Sequence, residues 1–287
     1  MPTIALATYA AAPDLPPDDQ ILQRALARRG ADARPVRWDA DARWSEFDAV
    51  VVRSCWDYHL RHAEFLAWVG RVERAGVTLH NAAPILRWNS DKRYFRDLER
   101  AGVDVVHTRW SDETPTVPTL AAVLAEEGWD EVVIKPVISA SATDTWRVPA
   151  GRSADWEDRF RAMTSRGPAM IQPFVAEVAG GGEWSLVFIG GEFSHAVLKH
   201  PAPGDFRVQE EHGGRQALAA ADTAVVRAAR RVLAHVPGSP SYARIDGCVI
   251  DGRFRVMEVE VLEPTLYFTE GPQAAERLAD LILAGAP

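Results

Sequence analysis

Cysteine is scarce in this chain, which has only Cys55 and Cys248 among its 287 residues. The two lie far apart, and each follows an apolar run typical of a β-strand, so we expect buried free thiols rather than a disulfide framework. Neither has the spacing of a metal ligand. The eight histidines show no ligand spacing either, and no Ser-His-Asp or Cys-His arrangement is present, which argues against a covalent nucleophile.

Long apolar runs and an excess of positive charge are also missing. No stretch approaches the length of a membrane span, and the first residues lack the basic segment and long apolar core of a signal peptide. The formal net charge is −8 with acids and bases interspersed, whereas affinity for nucleic-acid backbones needs basic patches. We therefore expect a cytoplasmic protein that binds neither membranes nor nucleic acid but can bind a small anionic ligand.

The first third of the chain alternates short apolar strands with helical segments. We predict strands at 3–8, 33–38, 47–52 and 77–80, and helices at 21–29 and 63–75. This alternation is typical of a small parallel α/β domain, in which ligands bind beyond the carboxyl ends of the strands. The chain is long enough for two or three such units.

A polar segment follows the third of these strands directly. Its cation, hydroxyl, acid and aromatic side chains could orient a small zwitterionic substrate, and the candidates are Arg53, Ser54, Trp56, Asp57 and Tyr58. The alternative is a polar loop that is held in place by a buried Trp56. Both interpretations stay open from the residues alone.

Three lysines stand within or at the ends of predicted elements in the rest of the chain. Lys92 lies in a helix predicted at 85–100, Lys135 ends a strand at 131–136, and Lys199 ends a strand of an antiparallel meander. A lone lysine is usually a solvated charge. The small residues at 137–145, however, can bring backbone N–H groups close to phosphate oxygens. We also predict a strand at 103–108 and a mobile loop at 201–214.

The segment 241–265 has the clearest pattern in the chain. Its two halves alternate apolar and polar residues around Asp251-Gly252, which predicts a β-hairpin. Arg244 and Asp246 then share a face of the first strand, and Glu258 and Glu260 share a face of the second. Three clustered carboxylates are ligands that suit Mg²⁺.

The alternative for these acids is an exposed hairpin that is decorated with solvated charges. The sequence Glu263-Pro264-Thr265 ends the second strand at once. The acids therefore lie at a strand end that faces a loop, where functional sites are usually built.

The order of these features resembles the ATP-grasp superfamily of carboxylate–amine ligases over nearly the whole chain. Its most specific motifs are Val133-Ile134-Lys135-Pro136, Ala243-Arg244-Ile245-Asp246 and Met257-Glu258-Val259-Glu260. Segments 51–58, 87–92, 205–211 and 262–264 look closest to a branch that contains cycloserine synthetase. The resemblance implies an α/β fold with a parallel N-terminal domain (1–84), a small central domain (85–164) and an antiparallel C-terminal domain (165–287) that carries the metal site.

The family pattern also implies roles for individual positions, with ATP and Mg²⁺ (or Mn²⁺) as cofactors. The nucleotide residues would be Lys92, Lys135, Ser139, Ser141, Gln172, Phe174, Val175, Glu183 and Lys199. The metal ligands would be Asp246, Glu258 and Glu260, and the catalytic arginines Arg207 and Arg244. Glu263 and Thr265 join the polar segment after the third strand as substrate candidates. Two departures stand out, because Glu260 replaces a common Asn and the phosphate loop has no glycine.

The activity that the resemblance implies is an ADP-forming ligation of a small amino-acid-like carboxylate through an acyl phosphate. The amine would come from the same molecule, giving ring closure, or from a second molecule, as in dipeptide or glutathione synthesis. A kinase that releases a phosphorylated product would use the same nucleotide site, and a non-catalytic nucleotide-binding module is the remaining alternative. A homodimer is allowed.

Overall fold

The computed structural model describes residues 1–209 and 212–285, so Glu210 and Glu211 of the loop predicted at 201–214 lie outside the described residues, as do the last two residues of the chain. The N-terminal part is a parallel sheet of order β2-β1-β3-β4. Its strands are β1 (Thr3–Thr8), β2 (Asp32–Arg37), β3 (Ala49–Ser54) and β4 (Thr78–His80). The central strands β1 and β3 are almost fully buried, as expected for apolar runs that are covered on both faces.

Helices cover both faces of this sheet. One face packs against α1 (Pro17–Arg28) and α9 (Pro272–Ala284), and the other against α2 (His62–Arg74) and α3 (Ala83–Asn89). Helix α9 is the C-terminal helix of the chain, so its apolar residues join the core of the N-terminal sheet. The carboxyl end of β3 therefore lies beside segments from the far end of the sequence.

A second, antiparallel sheet has the order β5-β8-β6-β7. It consists of β5 (Arg109–Trp110), β6 (Glu131–Pro136), β7 (Trp146–Pro149) and β8 (Ala169–Pro173), and packs against α5 (Leu120–Glu127) and α6 (Ser153–Thr164). The prediction of a strand at 103–108 is wrong. This segment runs beside the edge of the third sheet and forms a single bridge there, between Val105 and Val256.

The helix predicted at 85–100 is also interrupted. It divides into α3 and α4 (Tyr94–Arg100), and Lys92 lies in the break. The Lys92 backbone N–H donates to the carbonyl of Val137 at 2.8 Å, while the Asp91 carboxylate accepts from the N–H of Arg93 at 2.9 Å. These bonds replace helical ones and turn the Lys92 side chain toward the sheets.

The third sheet is antiparallel, with the order β11-β10-β9-β12-β13. Its strands are β9 (Glu183–Ile189), β10 (Glu192–His200), β11 (Arg215–Leu218), β12 (Tyr242–Ile250) and β13 (Arg253–Glu260), and the flanking helices are α7 (Glu177–Gly181) and α8 (Thr223–Leu233). Asp251 and Gly252 have φ values of 50° and 73°, the pair of positive φ values that a type I′ hairpin turn needs. The predicted hairpin is confirmed.

A bulge follows Asp246, where the pairing of β12 with β13 shifts by one residue. A Cβ on Gly247 would lie 2.3 Å from the carbonyl oxygen of Arg255, so only glycine fits there. The mixed α/β fold class, with one parallel and two antiparallel sheets, is confirmed. Both cysteines are buried and free, and no helix among the described residues is long and apolar enough to cross a membrane.

Candidate active site

A cavity of about 330 Å³ opens over one face of the third sheet. Strands β9, β10, β12 and β13 supply charged side chains to one wall, and β6, β8 and the 139–145 loop supply the opposite wall. Trp56 and Tyr58, together with residues of the 262–267 loop, also line the cavity. The cavity thus joins all three sheets at the carboxyl end of β3.

The hairpin brings three carboxylates together, and we call Asp246, Glu258 and Glu260 the metal cluster. Asp246 lies directly opposite Glu258 in the ladder, and Arg244 lies opposite Glu260. Oxygen atoms of the three carboxylates lie within 4.8 Å of one another. Three oxygen donors at this separation fit a hard divalent cation such as Mg²⁺.

Each member of the metal cluster also has a cation beside it. The Arg244 guanidinium donates to Asp246 at 2.8 Å and also to Glu260. The Lys92 Nζ lies 2.6 Å from Glu258, and the Lys199 Nζ lies 2.5 Å from Glu183 and 3.4 Å from Asp246. Charge neutralisation by these amines and the guanidinium allows like charges to be buried together.

The cations decide which acids of the metal cluster stay ionised. Burial would raise the pKa of Asp246, but Arg244 and Lys199 outweigh it and lower that pKa to about 2. Burial likewise opposes ionisation of Glu258, yet Lys92 and Lys135 lower its pKa. At Glu260 burial prevails over Arg244 and raises the pKa to about 7.

Two charged groups of the cavity have no such partner among the described residues. The Lys135 amine lines the cavity without a carboxylate at salt-bridge distance, and burial lowers its pKa. The Glu263 carboxyl has no cation at salt-bridge distance, and burial together with the nearby Glu260 raises its pKa to about 8. An unpaired, partly buried amine and an unpaired, partly buried carboxyl each favour a ligand group of opposite charge.

The residues predicted to hold adenine line the cavity together. Gln172, Phe174 and Val175 follow one another at the end of β8. The Gln172 amide donates to the hydroxyl of Thr108 at 2.9 Å, and the Arg147 guanidinium lies 3.7 Å from the centre of the Phe174 ring. These contacts fix the side chains of Gln172 and Phe174.

The other residues predicted to bind the nucleotide, and the predicted catalytic Arg207, also line the cavity. Ser139 and Ser141 line it, and Ser141 has a left-handed φ of 50° although it is not glycine. Glu183 lines the cavity as the ion-pair partner of Lys199. Arg207 is held by Asp205 at 2.8 Å and lies on the cavity wall.

The structure divides the substrate candidates into two groups. Trp56, Tyr58, Glu263 and Thr265 line the cavity, whereas Arg53, Ser54 and Asp57 are absent from the lining.

Each of the three residues outside the lining has protein partners. Asp57 accepts from the indole of Trp38 at 2.7 Å and from Arg61 at 3.0 Å. Arg53 and Ser54 both contact Asp19. Arg53 and Ser54 lie at the predicted strand end, but their side chains bind other residues of the protein.

Some lining residues were missed from the sequence. The apolar side chains of Val106, Val133 and Met257 line the cavity. Their apolar character indicated burial but not burial against a cavity. Tyr267 lines it with a left-handed φ of 52°, and the Arg244 guanidinium lies 5.5 Å from its ring centre. No sequence pattern indicates a left-handed tyrosine.

Comparisons with known proteins show the family of this chain. Residues 4–81 match the family model for the N-terminal domain of D-cycloserine synthetase DcsG. The chain is 32% identical to the cycloserine biosynthesis protein DcsG of Streptomyces lavendulae, over 94% of this chain and 92% of that protein. The crystal structure of D-cycloserine synthetase DcsG superimposes with a TM-score of 0.87 at 30% identity, covering 99% of both chains.

More distant proteins share the fold. A RimK-domain ATP-grasp protein from Sphaerobacter thermophilus matches 98% of this chain and 99% of its own, with a TM-score of 0.72 at 19% identity. At that identity the likeness shows the shared ATP-grasp fold alone. With the full-length similarity to DcsG, it follows that the chain belongs to the D-cycloserine synthetase family of ATP-grasp ligases.

Proposed function

We propose that this ligase uses ATP to activate a small amino-acid-like carboxylate and then forms an amide by ring closure within the same molecule. The observation that carries the proposal is the pair of unpartnered charges in the cavity. Lys135 offers a cation to an anionic group, and Glu263 offers a carboxyl to an ammonium group. Phosphate and an amino acid together supply both.

The nucleotide would lie along the wall that β6 and β8 build. Backbone groups of Gln172 to Val175 would receive the adenine, and Lys92 and Lys135 would neutralise the phosphates. Asp246, Glu258 and Glu260 would hold Mg²⁺, and the chemistry of three carboxylate donors within 4.8 Å supports this. When bound, the cation would neutralise phosphate oxygens.

The reaction itself would take two balanced steps. A carboxylate oxygen of the substrate attacks the γ-phosphorus of ATP, so that ADP leaves and an acyl phosphate forms. The substrate amine nitrogen then attacks the acyl carbon, loses a proton and expels inorganic phosphate. Arg244, at the base of the cavity, would stabilise the oxyanion that develops on that carbon.

The amino-acid-like character of the substrate would be recognised at the 262–267 loop. Glu263 would accept hydrogen bonds from the ammonium group, and Trp56 and Tyr58 would offer aromatic faces beside it. Ring closure rather than joining of two molecules is supported by the similarity to a cycloserine biosynthesis protein. A ligase that joins two molecules would use the same nucleotide site.

The proposal is tested by measuring ADP formation from ATP in the presence of Mg²⁺, with O-ureido-D-serine as the probe and no added amine. We expect ADP and inorganic phosphate in equal amounts together with a cyclised product. Glu263→Gln should raise KM for the probe and leave the dissociation constant of ATP unchanged. Glu73→Gln, a change to an exposed acid paired with Arg87, is the matched control.

Three outcomes contradict the proposal in different ways. ADP release only in the presence of a second amino acid would favour an intermolecular ligase. A stable phosphorylated product would favour a kinase. Loss of ATP binding in Glu263→Gln would mean that Glu263 belongs to the nucleotide site.

A further inference from the structure

Three successive carbonyl groups of the 262–267 loop accept hydrogen bonds from side chains. The donors, in order, are Trp56 to Glu263 at 3.1 Å, Arg53 to Pro264 at 2.7 Å and Arg244 to Thr265 at 3.1 Å. This segment has no regular secondary structure, so these bonds, together with the burial of Leu262, Leu266 and Phe268, fix its course.

Of these three bonds, the one from Arg53 spans the greatest distance in sequence. The Arg53 side chain is fully buried, at 0% exposure, and that of Asp19 is 4% exposed. The Arg53 Nε and Nη2 lie 2.9 Å and 2.8 Å from one oxygen of Asp19, and the Ser54 hydroxyl donates to the other oxygen. Nη2 also donates to Pro264, so the guanidinium connects α1, β3 and the loop.

Aromatic rings restrict the same guanidinium from two sides. Its carbon lies 5.0 Å from the ring centre of Tyr242 and 5.8 Å from that of Phe268. A guanidinium can hold this position because it is planar and donates in fixed directions, whereas an ammonium group cannot reproduce both contacts at once. The buried pair is therefore sensitive to geometry as well as to charge.

We propose that Arg53, oriented by Asp19, is a positioning residue that fixes the 262–267 loop so that Glu263 and Thr265 face the substrate. Arg53 does not contact substrate, because its side chain has no exposed surface and lies outside the cavity lining. The inference rests on the proposed function where it assigns Glu263 to the substrate. It adds a coupling between the N-terminal sheet and the loop that carries the specificity residues.

Arg53→Lys, which keeps the charge and removes the fork of donors, tests this inference by steady-state kinetics. We expect kcat/KM for O-ureido-D-serine to fall by about tenfold to a hundredfold, the scale for misplacement of a binding group. The dissociation constant of ATP should stay unchanged, because the nucleotide residues lie on other strands. Arg34→Lys, a change at an exposed arginine paired with Asp32, is the matched control and should have no effect.

A double-mutant cycle separates positioning from direct contact and from a general loss of structure. If Arg53 acts by placing Glu263, then Arg53→Lys should lower kcat/KM by less than about threefold in the Glu263→Gln background. Full additivity of the two changes would overturn the inference. If Arg53→Lys does not fold, Asp19→Asn serves in the same cycle, because the amide oxygen can still accept from Arg53.

Hydrogen exchange of residues 261–271 without substrate provides a readout that is independent of activity. Faster exchange is expected in Arg53→Lys, with unchanged exchange around Lys92. Unchanged exchange in the loop would also overturn the inference. If the wild-type enzyme releases no ADP with any amino acid, the proposed function fails while this measurement still tests the positioning.

Discussion

The metal cluster and the 262–267 loop are neighbouring parts of one cavity, but they treat buried charge differently. Each carboxylate of the cluster has a cation of the protein beside it. Glu263, three residues beyond Glu260 in the chain, has none among the described residues, and the pKa of its carboxyl is raised to about 8. The cluster is therefore neutralised before any ligand arrives, whereas the loop depends on a ligand for its counter-charge.

Under the proposed function, this difference would separate two tasks of the enzyme. A preorganised cluster would present fixed charges to the phosphates and thereby favour transition-state stabilisation. An unpaired carboxyl costs folding free energy but rewards a substrate that brings an ammonium group. Changes at the cluster should therefore affect chemistry, and changes at Glu263 should affect substrate choice and pH dependence.

The largest effect is expected when the cluster loses one charge. Asp246→Asn should lower the rate of ADP release by more than about a hundredfold. Mutation of residues that only hydrogen-bond to metal ligands already lowers metal affinity or activity by about 10–100-fold. The shape of the side chain is kept, so Arg244 and Lys199 still have an acceptor beside them. Rates at increasing Mg²⁺ measure the effect, and wild-type activity in Asp246→Asn would show that the cluster holds no essential cation.

Loss of the paired Lys92 and loss of the unpaired Lys135 should have different effects on the stability of the fold. Lys135→Met should weaken ATP binding by about 1.5–3 kcal/mol, the range for hydrogen bonds to charged groups, with little loss of stability because Lys135 has no ion-pair partner to abandon. Lys92→Met should weaken ATP binding and also destabilise the fold, because Glu258 loses its counter-charge. Calorimetry and thermal unfolding measure the two effects, and unchanged ATP affinity in both variants contradicts the assignment.

The pH dependence of substrate binding should reveal the ionisation of Glu263. Its pKa is raised to about 8, so the ionised form that pairs with an ammonium becomes more populated as the pH rises toward that value. At saturating ATP and Mg²⁺, kcat/KM should rise by up to about tenfold per pH unit below the pKa. The Glu263→Gln variant should lack this rise, and an identical slope in the variant would place the titrating group elsewhere.

The smallest expected effect is that of Glu263 on the free energy of unfolding. Because the pKa of Glu263 is higher in the folded state than the ordinary 4.5 of an unfolded glutamate, the folded state binds more protons between these values. The contribution of Glu263 to stability is thus fully present below about pH 4.5 and is lost as the pH rises through about 8.

Glu263→Gln should therefore raise the free energy of unfolding more near pH 8 than near pH 5. Denaturant unfolding at the two pH values measures this. An equal change at both would mean that the carboxyl is not destabilised by burial.

The hairpin shows how much of the site the sequence determines. Asp251-Gly252 specifies the turn, and the two-residue period of a strand then puts Arg244, Asp246, Glu258 and Glu260 on one face. These are local rules, and they needed no knowledge of the rest of the fold. The parallel N-terminal sheet was also predictable from local patterns, since its central strands β1 and β3 are apolar runs.

Arg53 and Lys92 show where local rules stop. Arg53 was a substrate candidate because it ends a parallel strand, but its side chain is drawn into the protein by Asp19 and by Pro264, which is 211 residues away in the sequence. Lys92 lies in a break of the predicted helix because a backbone bond to Val137 replaces a helical one. Contacts between distant segments decided both cases, and a single sequence does not reveal them.

Transfer of a heavy-oxygen label from the substrate carboxylate to inorganic phosphate tests the central claim most directly. If the cavity activates a carboxylate through an acyl phosphate, one labelled oxygen must leave with the phosphate for each ADP formed. Mass spectrometry of the phosphate released with O-ureido-D-serine should therefore show the label in every turnover. Unlabelled phosphate formed alongside ADP would contradict the account, because the γ-phosphate would then have passed to water.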